Sequence, residues 1–199
     1  MAVVLILAIF ATMAAPTVTR KLRDARVREL AGTVAAVYRG ARQRAAGRGA
    51  AVMVRYSLGA SGTAQGSFVT REAVVGTADA NEPCPTLPVP SCIGADWATA
   101  DASLLQHTLD VSAEARYAEI FTTFNYFTAT GIPAVPVTRL DICFTPSGRA
   151  FQSDDGAATW VPMIGVPYIG VRRLEDGINQ IGLERVALIP TSGAARLAF

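Results

Sequence analysis

The chain has a single histidine, His107, and three cysteines, Cys84, Cys92 and Cys143, with no C-x-x-C pair among them. A zinc centre draws several imidazole or thiolate ligands at short spacing, so a metal site of that class is not expected. Charged residues are only 17% of the total, and the formal net charge is +2. That small surplus is unevenly spread: residues 20–48 are strongly basic and residues 72–110 mildly acidic. A basic stretch can meet lipid phosphate or nucleic acid, but a solvated helix face is the favoured account of it.

Catalytic and cofactor signatures are also sparse. His107 opens the string HTLD, and Asp110 would orient its imidazole toward a serine only if the segment were helical. GASG, residues 59–62, lacks the second spacing of a G-x-S-x-G elbow and sits in a polar turn. Asp154, Asp155 and Gly156 lack the remaining ligands of an EF-hand and are accounted for by a turn. No Lys-Ser/Thr follows Gly47 and Gly49, so they form no phosphate loop. The expectation is a protein that is not an enzyme and needs no cofactor.

What the chain does have is an apolar run at residues 2–15, including Val3, Val4, Leu5, Ile6, Leu7, Ile9 and Phe10, followed by Pro16. As a helix it rises roughly 21 Å, against about 30 Å for a bilayer's hydrocarbon core, a shortfall of about six residues. No Lys or Arg precedes Arg20, and Met13, Ala14 and Ala15 make a poor cleavage site, so a secretory signal peptide fits badly. A buried core helix would turn at a loop, and none follows. Instead Val27, Leu30, Val34, Val37 and Ala41 recur at spacings of three and four, with Arg23, Arg26, Arg28, Glu29, Arg39 and Arg42 on the other faces. Residues 2–47 are therefore expected to form one long helix, kinked at Pro16 and ended by Gly47 or Gly49, whose apolar stripe covers a partner. No second apolar run reaches spanning length.

The string VVLILAIFATMAAPTVTRKLRDARVRELAGTVAAVYRGARQRAAGRG, residues 3–49, resembles the N-terminal helix of type IV pilin-like proteins, specifically the GspH/FimT family of minor pseudopilins. In that family a basic leader and a Gly-Phe-Thr-Leu-Ile-Glu-like motif precede the run, and a prepilin peptidase cuts after the glycine. With Pro16 aligned on the family's helix proline, the motif glutamate is expected about two residues ahead of Met1, in line with the shortfall against bilayer thickness. Segments LDICFTPSGRAF, residues 140–151, and GLERVALIPTSGAARLAF, residues 182–199, are similar to the family's strand-turn-strand repeats.

The resemblance implies a single-pass inner-membrane protein with a periplasmic C-terminal domain, assembling through its helix into a type II secretion pseudopilus or a type IV pilus. Its implied partners are other pseudopilins, an inner-membrane assembly platform, secreted cargo and, if the upstream motif exists, the prepilin peptidase. Read alone, the positive-inside rule keeps the Arg-rich flank cytoplasmic; an upstream leader and oxidised cysteines argue the other way. Some relatives of the FimT type look like DNA receptors with an arginine-bearing tail. Here the tail reads SGAARLAF with Arg196 alone, and Arg172, Arg173 and Arg185 are the other candidate phosphate contacts. Phosphate affinity grows with the number of neutralised contacts, so DNA binding is the lesser expectation.

Residues 50–199 are expected to form one β-rich domain, giving an α+β fold with a long helix on an antiparallel, two-sheet arrangement. Expected strands fall at 51–57, 66–70, 73–75, 115–129 (one long strand or a bent pair), 137–144, 159–174 and 183–189, with 96–110 either a short helix or a loop. The segment EPCPTLPVPSC has four prolines and reads as an exposed loop. A Cys84–Cys92 disulfide closing it is the favoured pairing, with Cys143 a buried strand thiol; pairing of either with Cys143, or free thiols, stays open. Such a bond would point to an oxidising compartment such as the periplasm.

Overall fold

The computed structural model describes residues 2–58, 65–76, 86–95, 97, 105–127, 138–163, 165–175, 179–190 and 195–198, with the backbone alone at 2–17, 86, 105, 106, 126 and 127. One helix, α1 (Ala2–Arg48), runs through Pro16 and ends where Gly49 takes a positive φ of 70°. The Gly49 N–H reaches back to the Ala45 carbonyl at 3.1 Å, the left-handed stop that glycine makes cheaply. Val27, Leu30, Val34, Val37 and Ala41 lie buried on one stripe, joined by Ala31, Ala35, Tyr38 and Ala45. Residues 18–26 are all exposed.

The strands that follow are β1 (Val52–Ser57), β2 (Ser67–Glu72), β3 (Val74–Gly76), β4 (Thr86–Pro88), β5 (Leu105–Asp110), β6 (Ile120–Phe127), β7 (Arg139–Phe144), β8 (Ala150–Ser153), β9 (Val161–Pro162), β10 (Val166–Glu175), β11 (Asn179–Leu188) and β12 (Arg196–Ala198). They pair antiparallel into a six-stranded sheet, β5-β2-β1-β7-β8-β9, a four-stranded sheet, β12-β11-β10-β6, and a ribbon, β3-β4. The segment at 96–110 ends as strand β5, because its alternating residues pair with β2 at the sheet edge. A 3-10 turn at Ala115–Tyr117 precedes β6, so residues 115–129 are not one strand.

The helix stripe and the inner faces of both sheets share one core, in which Val52, Val54, Tyr56, Leu140, Ile142 and Phe144 meet Phe124, Ile169, Val171 and Ala187. Tyr56 joins the sheets: its hydroxyl donates to the Thr122 carbonyl at 2.9 Å. Thr122 in turn donates to the Gln65 carbonyl at 2.7 Å, crowding Gly66, whose φ is 82° and where any Cβ would collide with the Thr122 hydroxyl.

Strand alternation builds a second, smaller core on the far face of the six-stranded sheet. Met53 and Cys143 point there, opposite to their neighbours Val54 and Ile142, and are covered by Cys92 and Trp97 with Trp160 alongside. This layer corrects the favoured disulfide. Cys92 is bonded to Cys143, with Cα atoms 6.1 Å apart, and is not available to Cys84, which lies outside the described residues. Nearness in sequence suggested the shorter loop, whereas the period-2 pleat aims Cys143 at the strap that carries Cys92. The proline-rich segment is likewise not wholly an exposed loop. Part of it is β4, the Val89 carbonyl accepts from the Ala51 N–H while its own N–H donates to the Ala73 carbonyl, and Cys92 is buried.

Candidate functional site

The feature that sets this molecule apart from a closed β-domain is the helix, and specific side chains secure its second half. Near its end, Arg44 Nε and Arg48 Nε bond to opposite oxygens of Glu72 on β2, at 3.1 and 2.8 Å. Glu72 is buried while both arginines reach it from partly exposed positions, so the carboxylate is desolvated but doubly paired. Midway, Glu29 accepts from Arg116 Nη1 at 2.7 Å and from the Tyr117 hydroxyl at 3.2 Å, tying α1 to the 3-10 turn. Burial chiefly, with the nearby Glu29 charge second, raises the Tyr117 phenol above its ordinary range.

Beneath the second core, Arg55 on β1 and Asp141 on β7 stand directly opposite in register and pair through both prongs, Nε to Oδ1 at 2.7 Å and Nη2 to Oδ2 at 2.8 Å. Asp141 is fully buried, and the same Nη2 also donates to the Gly156 carbonyl at 3.2 Å. The pair ties the central strands to the loop at 154–159. Asp155 is consumed similarly. Its carboxylate accepts from the Ser153 and Thr159 hydroxyls and from the N–H groups of Ala158 and Thr159, bonds that hold it well below the usual carboxylate range. The loop therefore closes on itself and has little acceptor capacity left for calcium.

His107 and Asp110 fall on β5, and three residues along a strand put them on opposite faces. His107 is exposed, and Asp110 accepts from the N–H and hydroxyl of Ser112. They form no catalytic pair. GASG lies outside the described residues. Among the described residues no three His, Cys, Asp or Glu side chains gather as a metal site.

The four candidate phosphate-binding arginines are divided between two faces. Arg173 pairs with Ile120, and Arg185 with Val171, on the face toward the helix. Arg172 pairs with Phe121, and Arg196 with Leu188, on the opposite face. Arg196 sits on the short edge strand β12, and Arg173 is buried against the domain. The anchor residues Val3, Val4, Leu5, Ile6, Leu7, Ile9, Phe10 and Pro16 belong to the helix backbone described, but their side chains lie outside the described residues. Among the described residues no helix is long and apolar enough to cross a membrane.

Sequence reasoning did not find Glu72, Asp141 or Tyr56. Each is an ordinary strand residue whose partner is distant in sequence, and only the register β2-β1-β7 and the sheet stacking bring partner and residue together. No protein-family model, curated protein or solved structure matches this chain.

Proposed function

We propose that the protein is a non-enzymatic, pilin-like subunit of the GspH/FimT type, held in the inner membrane by the N-terminal end of its helix with the β-domain in the periplasm. The observation that carries this reading is the division of α1: residues 27–45 are sealed into the β-domain along one stripe, whereas residues 18–26 are all exposed and bury no apolar side chain. A helix that only completed a core would end where the core ends. Beyond the exposed section, residues 2–19 carry no charge, a stretch rising roughly 27 Å as helix. Lipid tails and neighbouring apolar helices are similar environments, so one surface serves both a membrane precursor and an assembled filament. The Cys92–Cys143 bond fits an oxidising compartment.

In this reading the helix packs with other pseudopilins in a periplasmic pseudopilus serving type II secretion. The assembly platform extracts it from the membrane, the prepilin peptidase processes it if the upstream motif exists, and the exposed β-surface meets neighbours or cargo. DNA uptake has less support, because arginines split between two sheet faces cannot follow one phosphate backbone.

The test is fractionation of cells producing the full chain. The expected protein resists carbonate extraction, dissolves in detergent, is reached by protease from the periplasmic side and runs with its cysteines oxidised. A soluble cytoplasmic protein with reduced thiols would sink the reading. Salt-sensitive binding of a DNA duplex would favour the receptor role instead.

A further inference from the structure

Where α1 leaves the β-domain it walls a cleft of about 130 Å³, closed on its other sides by the turn before β6 and by the end of β10. Arg23 and Arg26 enter from the helix, Arg116 from the turn and Arg173 from β10, and among the described residues Glu119 is the one acid in the lining. Arg116 is already committed to Glu29 and Glu114. Glu119 is stretched between two cations, Oε1 lying 3.7 Å from Arg23 Nη2 and Oε2 4.0 Å from Arg173 Nε, both beyond hydrogen-bond reach. Arg173 is 6% exposed, and its Nε and Nη1 have no hydrogen-bond partner among the described residues. A buried guanidinium with idle donors is costly unless an anion meets it. Three arginines, Arg23, Arg26 and Arg173, here face a single carboxylate.

We propose that this cleft binds a phosphate-ester anion presented by a lipid headgroup, with the Arg173 guanidinium at its base and Arg23 and Arg26 closing over it from the helix. Guanidinium donors arranged in a planar fork match two phosphate oxygens at once, which a lysine cannot do. The inference rests on the membrane reading of α1 for its choice of phosphate source. Arg23 is four residues past Thr19, the end of the uncharged stretch, and so stands about 6 Å further along the helix. The headgroup layer outside the hydrocarbon core is about 5–8 Å deep on each side. A helix seated by residues 2–19 therefore brings the cleft to the depth of the headgroup phosphates.

The test is co-flotation of the full chain with vesicles of phosphatidylcholine alone and of phosphatidylcholine with phosphatidylglycerol. Association with neutral vesicles measures the anchor, and the gain on adding the anionic lipid measures the cleft. Arg173→Gln is expected to cut that gain by about fivefold or more while leaving neutral association unchanged. Arg196→Gln, an equal loss of charge on the outer face, should leave the gain close to wild type. Should Arg173→Gln fail to fold by near-ultraviolet circular dichroism, Arg23→Gln at a half-exposed position reads the same cleft.

Equal losses from Arg196→Gln and the cleft variants would overturn the inference, as would an undiminished gain in the cleft variants. Arg173-dependent binding of inorganic phosphate or a DNA duplex by the full chain, with no Arg173-dependent gain on the anionic vesicles, would also overturn the lipid assignment and name the other source. A wild-type chain that fails to float with neutral vesicles, yet keeps an Arg173-dependent gain, would sink the anchor and spare the cleft.

Discussion

Tyr56 shows how much a single side chain can hold together. Its ring packs between Phe68 and Phe124, and its hydroxyl bridges the two sheets through Thr122. Burial, partly offset by the Thr122 hydrogen bond, pushes its phenol from 10.0 up to about 12. A folded-state value above the unfolded one stabilises the protein below the unfolded value, and that contribution is lost as pH rises from about 10 through about 12. By linkage the amount is on the order of 2–3 kcal/mol. Tyr56→Phe should cost roughly 1–2 kcal/mol at neutral pH, because the hydroxyl bond is lost inside the core. Denaturant melts at increasing pH should then show the wild type's margin over Tyr56→Phe closing above about pH 10. A margin that stays constant to pH 12 would mean that the hydroxyl is not sealed from water.

At the scale of elements, α1 behaves as two helices joined end to end. Leu30 is fully buried between the sheets, while Leu22, two turns earlier, is 56% exposed. Leu30→Ala should destabilise by about 2–5 kcal/mol through lost transfer energy and the cavity left behind. Leu22→Ala should change stability by less than about 0.5 kcal/mol in the same melt. Comparable losses at both positions would show the exposed section packing on the domain in solution, against the division that carries the proposed function. The amphipathic half was legible in sequence, because Val27, Leu30, Val34, Val37 and Ala41 repeat at helical spacing whatever they pack against. The clamp at Glu72 was not legible, because a glutamate ending a strand reads as a solvent-facing charge until β2 is laid beside the last turns of the helix.

For the whole molecule, the layers are joined by a bond between cysteines 51 residues apart. Closing a loop of that length stabilises by about 4 kcal/mol on the chain-entropy model, more than the short loop expected from sequence. Cys92→Ser, Cys143→Ser and the double variant should lower the melting temperature by the same amount, since all three remove one bond. Cys84→Ser should leave it unchanged. A drop for Cys84→Ser equal to that for Cys92→Ser would restore the pairing first expected. The charge asymmetry also acts at this scale: of the stalk arginines, Arg44 and Arg48 pair with the domain's Glu72, and Arg23 and Arg26 gather at the point of departure.

The sequence by itself determined the long helix, its buried stripe and the predominance of antiparallel strands, because these follow from local periodicity and from glycine and proline placement. It also carried the resemblance on which the functional proposal draws, since an apolar run continuous with a basic amphipathic helix is a linear pattern. Only the tertiary structure decided which cysteine meets Cys92, which carboxylate meets Arg55 and which arginines share a face. Those outcomes depend on strand register and sheet stacking, where a shift of one residue turns every side chain to the opposite face. The same dependence separates Arg172 from Arg173: adjacent in the chain, they point to opposite sides of the sheet, and only Arg173 reaches the cleft beneath the helix.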